Sequence, residues 1–386
     1  MPSNKKLLVL ILDAFSNKYL EYTSYLSKLC KEYYCTTIEP IFVYEGIRAA
    51  ILTGLSIRES GIWHDKVFIP DGRKDLKIRI LKLFIPLVDV LSPTDYINKS
   101  FRFLLFKILR EEYGTPHLIP SKYLEYFATY RHESRGVPDL FQILRKHGVR
   151  SAWIEPKLNS MERRVLMNTV NLFRKNDLIV LKLNSLDRLG HKYGPLSTEV
   201  RERVKYLDSI VEEAISISQS KINNFSFIIM SDHGMVPVEK FVNIEKIFIK
   251  ETSIRPLVDY IPYIGSTFAS FFILNKKAES PIRKILQGLS SYGRILTEYD
   301  LSMLGIDKKL YGHIIFALNE GVIFFPSFFQ RRNIPKGMHG YAYSKYDNAI
   351  FMASGISIKG TPSQTLKYSD IFKILIDFWV DSDEIS

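Results

Sequence analysis

Residues 225–235 read FSFIIMSDHGM, and this stretch combines a short apolar run with Ser-Asp-His-Gly directly after it. Its first six residues have the length and apolar character of a strand buried on both faces of a sheet. The runs Leu7–Leu12 and Asp177–Leu183 have the same form, and Asp13 and Asp187 follow them. The sequence therefore repeats one arrangement, in which a carboxylate follows a buried strand.

The segments between these runs have helical spacing. Lys18–Lys31, Ile47–Leu52 and Ser197–Ser218 read as helices, and a further strand is predicted near Thr37–Val43. The stretch LFQILRKHGVRSAWIE at 140–155 reads as helix, glycine stop and strand. Short apolar strands separated by helices predict an α/β fold with a mostly parallel central sheet flanked by helices.

The carboxyl ends of parallel strands share one edge of the sheet, and ligands bind beyond that edge. Asp13, Asp187, the adjacent Asp232 and His233, and the turn at Tyr44 each follow a predicted strand. We expect them to converge there.

Residues 1–386 are interpreted as a single catalytic domain with two additions. Residues 74–135 are predicted to form a helical cap insertion without clear strands, because LKIRILKLFIPLVDVL and FRFLLFKILREEYG are helical, apolar and rich in Lys and Arg. This cap either packs on the core or also forms a lid that contacts lipid or a lipid-linked substrate. Residues 255–330 are aromatic and predict a small β-rich subdomain.

The composition is that of an ordinary globular protein. The chain has 386 residues, 46% of them hydrophobic, and a net charge of +12. The basic residues are spread along the chain without a nucleic-acid-binding motif, so no specific nucleic-acid binding is expected. A basic surface also suits an anionic substrate, which it attracts over long range.

The cysteine content and the apolar runs bear on location. Cys30 and Cys35 cannot build a disulfide framework, so the sequence predicts reduced cysteines and a cytoplasmic protein, with peripheral membrane association as an alternative. The start NKKLLVLILDAF is interpreted as a buried strand rather than a signal peptide, because Asp13 ends it and no small-residue cleavage site follows. With no stretch of eighteen apolar residues, no membrane-spanning helix is predicted.

A metal site is the most specific chemical prediction. Each candidate alone has a structural explanation: Asp13 as a helix cap, Asp187 and His191 as a surface pair, and His339 as a loop residue. Together they supply carboxylate oxygens and imidazole nitrogens, the ligands that bind Zn²⁺ or Mn²⁺. The six candidate ligands are Asp13, Asp187, His191, Asp232, His233 and His339.

These short motifs resemble those of the alkaline phosphatase superfamily, specifically its type I phosphodiesterase/nucleotide pyrophosphatase branch. SLDRLGHKYGP, MSDHGM and KGMHGY follow the first-strand aspartate in the order found in that family. The resemblance runs from Leu7 to about Gly355, with the cap outside it.

The resemblance implies two divalent ions, Zn²⁺ in the first place and Mn²⁺ as the alternative. One ion would be held by Asp13, Asp232 and His233 with help from the nucleophile. Asp187, His191 and His339 would hold the other.

The stretch YEGIRAAILTG at 44–54 resembles the superfamily's nucleophile turn, which related sulfatases show as Cys-x-Pro-Ser-Arg-Ala-Ala-Leu-Leu-Thr-Gly. The nucleophile position falls on Tyr44, and Arg48 matches the sulfatase arginine. Phosphodiesterases of the superfamily carry Thr or Ser there, so this sequence departs from the pattern. Three alternatives stay open: Tyr44 attacks as a phenolate, water activated at the metal attacks directly, or the protein has a different or no catalytic role.

The function implied by the resemblance is two-metal-dependent hydrolysis of phosphodiester or pyrophosphate bonds in a nucleotide or another phosphorylated small molecule. The alternative enzymes are a phosphomonoesterase, sulfatase or phosphomutase of the same superfamily. The alternative without catalysis is a protein that binds a phosphorylated ligand.

Overall fold

The central element of the structure, a computed structural model, is a six-stranded sheet with helices on both faces. The structure describes residues 5–43, 46–109, 118–129, 137–156, 161–342, 344, 348–358 and 364–380. The strands are β1 Lys6–Leu12, β2 Tyr34–Ile38, β3 Lys66–Phe68, β4 Phe127–Thr129, β5 Ser151–Ile154, β6 Leu178–Leu183, β7 Phe225–Met230, β8 Val236–Pro237, β9 Lys240–Val242, β10 Tyr260–Ile264, β11 Phe268–Ile273, β12 Gly293–Ile295, β13 Ile314–Leu318, β14 Val322–Phe324, β15 Gly337–Met338 and β16 Ala349–Ser354.

The α-helices vary from one turn to 24 residues in length. They are α1 Tyr25–Glu32, α2 Gly46–Thr53, α3 Ile57–Ser60, α4 Leu76–Leu91, α5 Asp95–Ile108, α6 Leu140–Lys146, α7 Glu162–Met167, α8 Thr169–Leu172, α9 Ser185–Tyr193, α10 Thr198–Lys221, α11 Ile244–Ile249, α12 Glu279–Gln287, α13 Glu298–Leu304, α14 Lys308–Tyr311 and α15 Tyr368–Trp379. Short 3-10 helices cover Asn17–Tyr22, Ser121–Tyr126 and Lys276–Ala278.

The strand order is β2-β16-β7-β1-β6-β5. β1 pairs in parallel with β6 and β7, and β5 pairs in parallel with β6, so the predicted parallel core is confirmed. β16 runs antiparallel to both β7 and β2, which makes the sheet mixed. Odd-numbered β1 residues such as Leu7 and Val9 belong to the apolar layer that includes α2, α6 and α15, and the even-numbered Leu8 and Leu10 to the layer that includes α10.

The strand predicted near Thr37–Val43 is wrong in its second half. β2 covers Tyr34–Ile38 and ends before Pro40. Proline has no N–H to donate to the neighbouring strand, so the pairing with β16 stops there. Residues 39–43 instead form an irregular connection between β2 and α2.

A second, antiparallel sheet lies within residues 255–330. Its order is β10-β11-β13-β12, and aromatic rings such as Phe268 and Phe271 are buried in it. The inner faces of α4 and α5 pack into the same apolar cluster through Ile78, Leu81 and Phe106. The described part of the predicted cap therefore lies against this sheet. It contains the short strand β4, so the expectation that this segment lacks clear strands is wrong.

The two cysteines form a disulfide, which corrects the expectation that both are reduced. Cys30 lies in α1 and Cys35 in β2, and their Cα atoms are 5.0 Å apart. The tight connection between α1 and β2 produces this distance, which is within the range that a disulfide spans. Cytoplasmic location stays a prediction.

The amino edge of the sheet is fixed by one carboxylate, Asp177. It accepts hydrogen bonds from Lys6 Nζ at 2.7 Å and from the Arg150 backbone N and Nε at 3.0 and 2.9 Å. These contacts join the starts of β1, β5 and β6, at the edge opposite the predicted site. Burial alone would raise the pKa of Asp177, but the hydrogen bonds from Arg150 and Lys6 lower it to about 2.

We expect Asp177→Asn to lower the free energy of unfolding by about 1.5–3 kcal/mol at pH 7, because hydrogen bonds to a charged acceptor are lost. A carboxyl whose pKa is lowered by folding stabilises the fold at pH values above its pKa in the unfolded chain, near 3.8. This stabilisation is lost as the pH falls towards 2. Urea denaturation at several pH values should show the difference from wild type shrinking below about pH 4.

The control is Glu213→Gln, which removes the charge from an exposed ion pair with Arg163. It should cost less than about 1 kcal/mol. A loss at Asp177 no larger than this, or one that does not depend on pH, would contradict the role given to Asp177.

Candidate metal centre

The six predicted metal ligands meet at the carboxyl edge of the central sheet. Asp13 follows β1, Asp187 and His191 lie on α9 after β6, and Asp232 and His233 follow β7. His339 follows β15, which pairs with β8 and thereby lies beside the segment after β7. This topology brings together residues that lie up to 326 positions apart in the sequence, as Asp13 and His339 do.

The most complete metal-binding arrangement is formed by Asp187, His191 and His339. The distance from Asp187 Oδ1 is 3.3 Å to His191 Nε2 and 3.5 Å to His339 Nε2, and the two Nε2 atoms are 3.2 Å apart. A tetrahedron with ligand bonds of about 2.0–2.1 Å has edges of about 3.3–3.4 Å. The three atoms therefore have the spacing of three ligands around one Zn²⁺ ion.

Backbone carbonyls orient two of the imidazoles. His191 Nδ1 lies 2.8 Å from the carbonyl oxygen of Gly337, and His233 Nδ1 lies 2.8 Å from that of Gly234. A carbonyl only accepts, so each Nδ1 carries the proton and each Nε2 presents a lone pair to the centre. This is the outer-shell contact that metal-binding histidines usually make.

Close approach of β15 to α9 requires glycine at position 337. A Cβ built there would lie 2.7 Å from the carbonyl oxygen of Gly190. A hydrogen bond of 2.8 Å, which Lys336 N donates to His191 O, holds the two elements together. It brings His339 next to His191 and stacks it on His233, with ring centroids 3.7 Å apart.

The second half of the centre contains Asp13, Asp232 and His233. His233 Nε2 lies 3.3 Å from Asp13 Oδ1, and Asp13, Asp187 and His233 each offer one ligand atom within 4.8 Å of the others. Asp232 is oriented differently: its Oδ1 accepts from the backbone N–H groups of Ala14 and His233.

A lysine that sequence reasoning missed lies in this half. Lys182 Nζ is 2.6 Å from Asp232 Oδ2 and 3.0 Å from Asp13 Oδ2. The available signal was the single charged residue within the apolar strand LIVLKL. Lys182 shares its sheet face with Leu178 and Val180, the face that α2 covers.

Charge coupling divides the carboxylates into two kinds. Burial, and then the Asp232 carboxylate, raise the pKa of Asp13. Burial alone would also raise the pKa of Asp232, but Lys182 and His233 hold it well below the usual range. Burial likewise acts against ionisation of Asp187, while His191 and His339 hold its pKa well below 3.8. Neighbouring positive groups therefore favour the ionised form of Asp187 and of Asp232.

Two residues next to the site have a strained backbone conformation. Ala14 and Val43 have φ values of 62° and 59°, in the left-handed region that residues with a Cβ rarely adopt. Ala14 directs its N–H to Asp232, and Val43 N donates to Gly340 O at 3.3 Å, next to His339. Such strain, about 1–3 kcal/mol per residue, concentrates at functional sites.

The two predicted catalytic residues remain predictions. Tyr44 lies outside the described residues, between the described Val43 and Gly46. Arg48, in the first turn of α2, is exposed, and its guanidinium lies 4.8 Å from the centre of the Trp153 ring on β5.

We expect His191→Ala to weaken Zn²⁺ binding by more than about 100-fold, because losing a ligand costs more than losing an outer-shell contact. Isothermal titration of metal-free protein measures this. His147→Ala, at the exposed end of α6, is the control and should bind as wild type. Equal affinities in all three proteins would contradict the ligand assignment.

Metal affinity should also depend on pH. Burial alone would lower the pKa of His191, but the Asp187 carboxylate raises it above 6.5. Burial and then His233 lower the pKa of His339 to about 3, so of these two imidazoles only His191 must lose a proton near neutrality. Zn²⁺ should therefore bind more tightly at about pH 8 than at about pH 6. A flat profile over this range would argue against His191 as a ligand.

Known structures share this fold over nearly the whole chain. Murine ectonucleotide pyrophosphatase/phosphodiesterase 5 superposes with a TM-score of 0.67 at 14% identity, covering 97% of this chain and 95% of the other. An inactive variant of the murine protein in complex with AMP gives 0.68 with the same identity and coverage, and the human protein gives 0.67 at 15% identity, again over 97% and 95%. At these identities the likeness shows the fold.

Sequence comparison identifies the family. Human ectonucleotide pyrophosphatase/phosphodiesterase family member 7 is 41% identical over 66 residues, a match that spans 17% of this chain and 14% of that protein. Residues 92–342 match the family described as type I phosphodiesterase / nucleotide pyrophosphatase. This match starts inside the predicted cap and leaves Asp13 and Tyr44 outside it. Because it covers more than half of the chain, this protein belongs to the type I phosphodiesterase/nucleotide pyrophosphatase family of the alkaline phosphatase superfamily.

Proposed function

We propose that this protein is a metal-dependent hydrolase of phosphodiester or pyrophosphate bonds. The observation that carries the proposal is the spacing of Asp187, His191 and His339, since their three ligand atoms lie 3.2–3.5 Å apart. Asp187 Oδ1 has no hydrogen-bond donor among the described residues, although it is buried. A cation at this point would satisfy it. Zn²⁺ fits the mixed carboxylate and imidazole ligands best, with Mn²⁺ as the alternative.

The residues of the centre suit transfer of a phosphoryl group. Bound divalent ions would supply the positive charge that neutralises a phosphoryl oxygen and the leaving oxygen. The chain's own residues hold this charge in place through the strand ends and the backbone carbonyls of Gly234 and Gly337. Lys182 adds a fixed positive charge beside Asp13 and Asp232.

The proposed substrate is a nucleotide or another phosphorylated small molecule. Support comes from the AMP that the related murine protein binds and from the family to which the chain belongs. The alternative reactions are hydrolysis of a phosphomonoester or a sulfate ester, or a phosphomutase reaction. The alternative without catalysis is a protein that binds a phosphorylated ligand.

Tyr44 is the proposed nucleophile, with Arg48 as the proposed anion-binding residue. The loop before Tyr44 is tied to Gly340 through Val43, and α2 after it lies on the sheet face that carries Lys182. A phenol has a pKa near 10, so a nearby cation would be required to favour the attacking phenolate. Direct attack by water is the competing mechanism.

Hydrolysis of nitrophenyl esters tests the proposal. With Zn²⁺ or Mn²⁺ present, the wild type should hydrolyse the phosphodiester faster than the monoester or the sulfate. Tyr44→Phe should lower turnover on the order of 10³-fold while Zn²⁺ still binds, because only the attacking oxygen is removed. The exposed Tyr299→Phe is the control and should keep full activity.

Full activity in Tyr44→Phe would exclude the phenolate and favour attack by water. A wild type that binds Zn²⁺ but hydrolyses none of the three esters would overturn the enzyme proposal and favour the binding protein.

A second candidate feature is the outer face of α4 and α5, which we propose docks on an anionic lipid surface. Leu83, Val90 and Tyr96 are 73%, 82% and 79% exposed. The other large exposed side chains of this face are Leu76, Phe84, Leu87, Leu91, Phe101, Phe103, Leu104 and Ile108. An apolar patch of this size marks an interaction surface. None of the described helices combines the length and apolar character needed to cross a bilayer.

The charges of this face favour lipid over a second copy of the chain. Residues 76–108 contain six basic residues and two acidic ones, and of the basic residues Arg102 is buried and does not add charge to this face. Both acidic side chains are engaged: Asp89 binds Arg102, and Asp95 accepts from the backbone of Arg331 and Arg332. Two such faces would repel each other, whereas anionic headgroups would attract them.

Vesicles containing phosphatidylserine should therefore bind the full-length protein at low salt, and binding should weaken as salt is added. The double variant Leu83→Asp, Leu87→Asp should lose it, while Met303→Asp on α13, also an exposed apolar position, should not. Vesicle binding that survives the double variant, or dimers that only wild type forms, would contradict the lipid proposal.

The location is proposed as cytoplasmic with peripheral membrane contact. The Cys30–Cys35 disulfide stands against a fully reduced compartment, where such bonds rarely persist. Alkylation of the unreduced, denatured protein followed by mass spectrometry decides this point: two alkylated cysteines support a reducing location, and none supports an oxidising one.

A further inference from the structure

Lys182 occupies space between two predicted metal ligands. Its Nζ lies 2.6 Å from Asp232 Oδ2 and 3.0 Å from Asp13 Oδ2, and its side chain is 21% exposed. It is the only charged residue in β6. A lysine among apolar strand residues is costly unless its charge is paired, and both partners here are carboxylates.

The two halves of the centre are unequally satisfied by the protein itself. Asp232 accepts from Ala14 N and His233 N on Oδ1 and from Lys182 on Oδ2, so both of its oxygens have donors. Asp187 Oδ1 has none among the described residues and instead faces the Nε2 atoms of His191 and His339. Asp13 Oδ1 likewise has no donor among the described residues, so the halves differ in Asp232, both of whose oxygens accept from protein donors.

An ion held by Asp13 and Asp232 would have to compete with Lys182. The ammonium group hydrogen-bonds the Oδ2 atoms of both carboxylates, so the ion would displace it from at least one of them. Because Lys182 is anchored in the strand, its charge would stay close to the ion and repel it. In the other half, the partners of Asp187 among the described residues are the imidazoles of His191 and His339, which are themselves candidate ligands.

We propose that Lys182 acts as a built-in cation that makes the two metal positions unequal. The position formed by Asp187, His191 and His339 binds one Zn²⁺ tightly. The position formed by Asp13, Asp232 and His233 binds a second ion more weakly, because the ammonium group of Lys182 must first be displaced from a carboxylate. This inference rests on the metal-binding part of the proposed function and adds an order of affinity to it.

Metal content and titration test the inference without measuring activity. Zn²⁺-loaded wild type, passed through a desalting column, should retain one equivalent by elemental analysis. Lys182→Met, which removes the charge and keeps an unbranched side chain of similar length, should retain two. By calorimetry its second site should be tighter than that of wild type by about 10- to 100-fold, the range seen for residues that contact metal ligands.

Two variants serve as matched controls. Lys182→Arg keeps the positive charge and should retain one equivalent. Lys6→Met removes another lysine paired with a carboxylate, at the opposite edge of the same sheet, and should also retain one. Circular dichroism checks that each variant is folded.

Two equivalents bound with equal affinity by wild type would overturn the inference, and this result needs no variant. One equivalent in a folded Lys182→Met would overturn it too. If neither wild type nor Lys182→Met retains Zn²⁺, the proposed metal centre itself fails. Loss of activity with the predicted metal content would instead leave the inference standing and count against the proposed hydrolase.

Discussion

Negative charge concentrated at one edge of the sheet is the constraint on which the rest of this site depends. The parallel strands β1, β6 and β7 lie side by side, so the residues after them bring Asp13, Asp187 and Asp232 together. Asp13 and Asp232 are buried, and carboxylates removed from water repel each other strongly. Positive charge must be present for this edge to be stable, and the protein supplies part of it through Lys182.

The surrounding structure is arranged to keep this charge in place. The Asp177 cluster fixes β1, β5 and β6 at the far edge, and β15 approaches α9 through Gly337 so that His339 reaches Asp187. The strained Ala14 directs a backbone N–H to Asp232. The second sheet and the cap helices pack into an apolar cluster of their own. The polar residues of the site lie at the carboxyl edge of the first sheet, outside this cluster.

The sequence predicted the parts that local patterns encode. Buried strands such as Phe225–Met230 and the motifs after them were recognisable because each is short and continuous, and strand ends in a parallel sheet share an edge. β16 runs antiparallel, which composition cannot reveal because an apolar strand has the same residues in either direction. Lys182 was missed since only the fold shows that its face of β6 ends between two carboxylates. The Cys30–Cys35 bond depends on the tight connection after α1, a tertiary detail.

The central claim is that Asp187, His191 and His339 form the stronger position of a metal centre that Lys182 makes asymmetric. Anomalous diffraction at the zinc absorption edge, from crystals grown with one equivalent of Zn²⁺, tests it most directly. The account predicts one strong peak among these three side chains, with Lys182 still between Asp13 and Asp232. A stronger peak at Asp13 and Asp232, or no peak at the carboxyl edge of the sheet, would contradict it.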